Sequence, residues 1–126
     1  MCGESKGCGC SGDGPKLVFA CSGAADVGAI ADRVARKLTR DGAGKMYCMA
    51  GLGGDVGPIV ETTRKASAIL AIDGCNVDCV KKTLERLGFS GYLHMRVTDL
   101  GLEKGSSPVT DESVARVAGK GSGMLA

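Results

Sequence analysis

Tryptophan is absent, and aromatic residues amount to only 3% of the 126-residue chain, two tyrosines and two phenylalanines. Any core must therefore be packed from aliphatic side chains. Long hydrophobic runs are missing as well. The longest early one, Leu17-Val18-Phe19-Ala20-Cys21, falls far short of the roughly 20 apolar residues a membrane helix needs. It is too short even for the centre of a signal peptide, so the cytoplasm is the expected location. Nor does one sign of charge prevail: 16 basic and 14 acidic residues are interspersed, for a net +2. That balance gives no electrostatic reason to expect a nucleic acid or a membrane as partner. With a single histidine, His94, no Ser/His/Asp set stands out.

Two things are plentiful. Apolar residues make up 44% of the chain, enough for a packed core in one domain. Seven cysteines, at positions 2, 8, 10, 21, 48, 75 and 79, are many for this length. In a reducing compartment they point to metal or redox chemistry, and an odd number suits full disulfide pairing poorly.

Residues 1–14 are rich in Gly, Ser and Cys without apolar periodicity and are expected to form a flexible tail. From there the pattern alternates. Leu17–Cys21 is a buried-strand run closed by Ser22-Gly23. Val27, Ile30, Ala31, Val34, Ala35 and Leu38 recur at helical spacing, and Asp41-Gly42 ends that helix. Lys45–Ala50 predicts a second strand, and Pro58 opens a second helix reaching about Ala66. Ala68–Ile72 predicts a third strand, and Val77, Val80, Leu84 and Leu87 a third helix that stops at Gly88. Tyr92–Leu100 predicts a fourth strand with Leu93, Met95 and Val97 on one face and His94 on the other. Thr110 is placed to cap a last helix, with Asp111 and Glu112 in its first turn. The domain is expected over residues 15–118, with 119–126 fraying.

Strand–helix alternation of this kind implies right-handed crossovers, hence a small α/β domain: a four-stranded, mainly parallel sheet of flavodoxin-like or Rossmann-like type, in order 2-1-3-4. Ligands of such sheets sit beyond the carboxyl ends of the strands, where strand order reverses. Cys21 closes strand one, Cys48 lies late in strand two, and Cys75 follows the Asp73-Gly74 turn after strand three. Cys79 stands one helical turn beyond Cys75. The four thiols are thus expected to converge on a thiophilic ion. Zinc is first among the candidates, because it accepts four thiolates in a tetrahedron at about 2.3 Å. A thiol redox or sulfur-transfer enzyme using Cys75 with Cys79 or Cys21 is the alternative, and an iron–sulfur protein the second.

Cys21-Ser22-Gly23, Cys48 before a Gly-rich turn, and above all Asp73-Gly74-Cys75 with Cys79 resemble the DGC-domain family, named for its Asp-Gly-Cys motif and marked by four characteristic cysteines. The likeness runs from about Lys16 to Val117 and includes Leu100–Pro108. It implies a zinc-binding role for Cys21, Cys48, Cys75 and Cys79. The tail cysteines Cys2, Cys8 and Cys10 fall outside it. Gly51-Leu52-Gly53-Gly54 fails the dinucleotide fingerprint, whose third Gly falls on Val56, and is expected to be a tight turn beside the metal. Asp73 is expected to cap the third helix, or to bond around the site or offer the metal an oxygen. His94 is expected to be structural. Asp99, near the end of strand four, is placed to face the cleft.

Overall fold

A computed structural model describes residues 13–126 of the protein, so Cys2, Cys8 and Cys10 lie outside the described residues. The four strands β1 (Lys16–Ala20), β2 (Lys45–Met46), β3 (Ala68–Asp73) and β4 (Leu93–Arg96) form one parallel sheet in the order β2-β1-β3-β4. This is the α/β architecture and strand order expected from the sequence.

Alternation along the strands splits the core into two layers. Val18, Ala20, Leu70, Ile72 and Met95 pack against α1 (Asp26–Arg40) and α5 (Asp111–Leu125). Leu17, Phe19, Ile69 and Ala71 face the other way, onto α2 (Met49–Gly53), α3 (Gly57–Arg64) and α4 (Cys79–Arg86). The register pairs Phe19 with Ala71, and Cys21 N–H extends the ladder by donating to the Ile72 carbonyl at 2.9 Å. Cys21 and Asp73 therefore continue the face that looks toward α4.

Three elements differ from their expected form. β2 is only two residues long, and the chain turns at once into α2, so Cys48 caps a short helix instead of closing a strand. α4 begins at Cys79, leaving Cys75 in the loop before it. The predicted fourth strand gives way after Arg96 to a 3-10 turn, Val97–Leu100.

The C-terminal stretch expected to fray instead continues α5 to Leu125, which is buried. Gly121 explains the difference. A Cβ there stands 3.1 Å from Leu38 Cδ1 and 3.3 Å from Leu70 Cδ2, so the glycine lets the helix approach the core. At its other end α5 has the expected Thr110 cap, reciprocated by Ser113. Among the described residues no helix is long and apolar enough to cross a membrane.

Candidate functional site

The sheet changes direction of travel between β1 and β3, and the loops leaving those two strands carry Cys21 and Cys75. Each residue of Asp73-Gly74-Cys75 has a separate physical task there. Asp73, 1% exposed, reaches past its own loop to α4: its Oδ1 accepts from Val80 N–H at 2.8 Å, and its Oδ2 from Lys81 N–H at 3.1 Å. These are two of the amides a helix start leaves without partners. The expected capping role is thus carried by a carboxylate seven residues upstream. Gly74 lies so close to α1 that a Cβ would stand 2.9–3.0 Å from Val27 C, Val27 O and Gly28 N. Gly28 in turn leaves no room against Gly23, whose oxygen would be 2.7 Å from its Cβ. The loops after β1 and β3 are therefore pressed against one helix end, with Cys75 packed against the α1-side core and Cys21 against the α4-side core.

Cys79 is the first residue of α4, and its preceding residue, Asp78, adopts a left-handed backbone at φ 59°. Partial desolvation raises the Cys79 thiol above its ordinary value, and the charges of Cys21, Asp73 and Cys75 push it further the same way. Cys79 is thus a thiol at a helix start whose surroundings disfavour its charged form. The Lys104 ammonium, from the segment between the 3-10 turn and α5, lies 3.6 Å from Cys75 Sγ. That segment is clipped to α1 by Asp26, whose carboxylate accepts from the amides of Gly105 and Ser107 at 2.8–3.0 Å. The same two bonds hold the Asp26 carboxyl below its ordinary range.

Cys48 stands apart from this group. It is exposed, its Sγ accepts from Gly51 N–H at 3.2 Å, and it helps line an open cleft of about 980 Å³ on the α1 side with Ser22, Arg36, Arg40 and Met46. The Gly51–Gly54 segment beside it is the end of α2, not the tight turn expected.

Among the described residues, the His, Cys, Asp and Glu donors lying within 4.8 Å of one another in a group of three are Asp73, Asp78 and His94. The four cysteine sulfurs form no such group, and a tetrahedral ion at about 2.3 Å asks for sulfurs about 3.8 Å apart. The Asp/Asp/His group is itself well satisfied. His94 Nε2 lies 2.9 Å from Asp73 Oδ2 and 3.6 Å from Asp78 Oδ1. An ionised carboxylate only accepts, so the proton sits on Nε2. Arg96 donates to both Asp78 oxygens at 2.7 Å and holds that carboxyl below its ordinary range. Its other terminal nitrogen is 3.7 Å from Asp99, which is largely exposed. The lone pairs a hard cation needs are mostly committed, and a guanidinium stands beside them. The thiols make the better donor set for a soft ion.

Sequence reasoning singled out His94 and Asp73 but missed Arg96 and Asp78. Strand alternation held the missing signal, since Arg96 is two residues after His94 and shares its face.

Comparisons with known proteins show the family of the chain. A family model described as the DGC domain matches residues 17–120. Over 88 residues the chain is 42% identical to a Pseudomonas aeruginosa protein described as "Anaerobic and virulence modulator AnvM", covering 70% of this chain and 67% of that relative. No solved structure matches. With the motif in place at the sheet's reversal point and the match spanning nearly all of the described domain, the chain belongs to the DGC-domain family.

Proposed function

We propose that this protein holds a thiophilic metal ion, zinc first, through Cys21, Cys75 and Cys79, with Cys48 closing on the ion as fourth ligand. The observation that carries this reading is the placement of Cys21 directly after β1, and of Cys75 and Cys79 between β3 and the first turn of α4, on the two strands where the sheet order reverses. Thiolates gathered there repel one another, and a divalent cation turns that repulsion into attraction. Cys48 comes from the shortest strand and a five-residue helix, so it is the ligand with most freedom to move.

A nucleophilic role for the thiols has less support. Cys75 stands off the helix start that was expected to activate it, and the thiol that occupies that start, Cys79, is raised rather than lowered. The related Pseudomonas protein is described as a modulator. A metal–thiolate site fits such a role, since its occupancy follows metal supply and thiol oxidation. The proposed location is the reducing cytoplasm.

Elemental analysis of anaerobically purified wild-type protein beside Cys75→Ser tests the reading. The expected result is about one zinc per wild-type chain and a marked loss in the variant. Equal metal in the two defeats the proposal. Iron with acid-labile sulfide in place of zinc assigns the thiolates to a cluster instead.

A further inference from the structure

The turn from Gly74 to Cys79 delivers two of the proposed ligands, yet its fastenings come from another strand. Three successive even-numbered residues at β4 and just beyond hold it. His94 donates to Asp73 at 2.9 Å, Arg96 grips both oxygens of Asp78 at 2.7 Å, and Thr98 N–H donates to the Gly74 carbonyl at 3.2 Å. Asp78 N–H closes the turn onto the Cys75 carbonyl at 3.2 Å. Asp78 is also a non-glycine residue in the left-handed region, a conformation that its contacts with Arg96 and Cys75 help to hold. The residue that follows it is Cys79, so the direction in which that sulfur leaves the backbone depends on Asp78 keeping this conformation.

We propose that Arg96, assisted by His94, is a positioning residue that sets the metal affinity and geometry of the cysteine turn through Asp78 and Asp73. This rests on the metal reading above. Partners that orient ligands typically change metal affinity by about 10–100-fold when removed. The sign is informative, because a guanidinium near a cation site acts in two opposite ways. As a mere positive charge, Arg96 repels the ion, and its removal tightens binding. As a clamp on the turn, it preorganises two sulfurs, and its removal weakens binding.

The test measures zinc affinity of the reduced full chain by competition with a chromophoric chelator, for wild type, Arg96→Met, Arg96→Lys, His94→Gln and the remote ion-pair variant Lys37→Met. Cobalt(II) spectra of the same proteins report ligand geometry. The expected result is a loss of about 10–100-fold in Arg96→Met, partial recovery in Arg96→Lys, a smaller loss in His94→Gln and none in Lys37→Met. The cobalt–thiolate charge-transfer band should shift in Arg96→Met and return toward wild type in Arg96→Lys. Unchanged or tighter zinc binding in folded Arg96→Met overturns the inference, as does an unaltered cobalt spectrum. If Arg96→Met does not fold, unchanged affinity in both Arg96→Lys and His94→Gln overturns it equally. Wild-type protein that takes up no zinc or cobalt removes the metal reading itself. A variant series in which Cys75→Ser loses zinc while both Arg96 variants keep it removes only the positioning role.

Discussion

The two segments that carry Cys75–Cys79 and Cys48 are built differently. On the β3–α4 side, Asp73 is buried and satisfied by two amides and an imidazole, Gly74 is wedged against α1, and Asp78 is gripped by Arg96. On the β2–α2 side, the strand has two residues, Cys48 is exposed, and the only side-chain cap on α2 is a thiol. One half is fixed by charged hydrogen bonds, and the other has a single thiol contact at its helix start.

The difference between the halves is open to direct attack. Asp73→Ala strips partners from Val80 N–H, Lys81 N–H and His94 in a buried place, and should cost about 3 kcal/mol in denaturant unfolding. Cys48→Ala, which removes the corresponding cap on the other side, should cost about 1 kcal/mol or less. Similar losses for the two would erase the distinction.

Glycine substitutions give a second contrast of smaller size. Gly74→Ala drives a methyl into the backbone of Val27 and Gly28 and should destabilise by about 1–3 kcal/mol. Gly53→Ala, with nothing within 4 Å of the added carbon, should be neutral or gain a few tenths up to about 1 kcal/mol. Matched thermal melts of the two variants check this.

The smallest effect is on the acid limb. Asp78 is held below its ordinary value of 3.8 first of all by its hydrogen bonds from Arg96. Its contribution is therefore complete above that value and is lost as pH falls through the lower folded value. Wild type should exceed Arg96→Met in stability at neutral pH, and the gap should narrow below about pH 4. A gap that stays constant to pH 2 would show that the pair contributes nothing through its charge.

Much of the scaffold was legible. The apolar run at Leu17–Cys21, the helical spacing from Val27 to Leu38 and the run at Ala68–Ile72 defined the central elements, and crossover handedness supplied the strand order. The topology also put Cys21 and Cys75 after the carboxyl ends of β1 and β3, where the structure has them. Short-range pattern failed where distant groups decide the local structure. α4 begins late because its amides are claimed by Asp73, outside the helical pattern. Arg96 and Asp78 are 18 residues apart, and neither announces its partner. Glycines at 119, 121 and 123 looked like an unravelling end until Leu38 and Leu70 proved to need the space at one of them.

The absence of tryptophan has a practical corollary. Ultraviolet emission from this chain comes from its two tyrosines. Tyr47 adjoins Cys48 and stands edge-on to Phe19, with ring centres 6.1 Å apart. Tyr92 immediately precedes β4, two residues before His94. One fluorophore therefore stands beside the start of α2 and the other beside the start of β4. Replacing either tyrosine by phenylalanine leaves a protein whose remaining glow reports on a single side, with no dye attached.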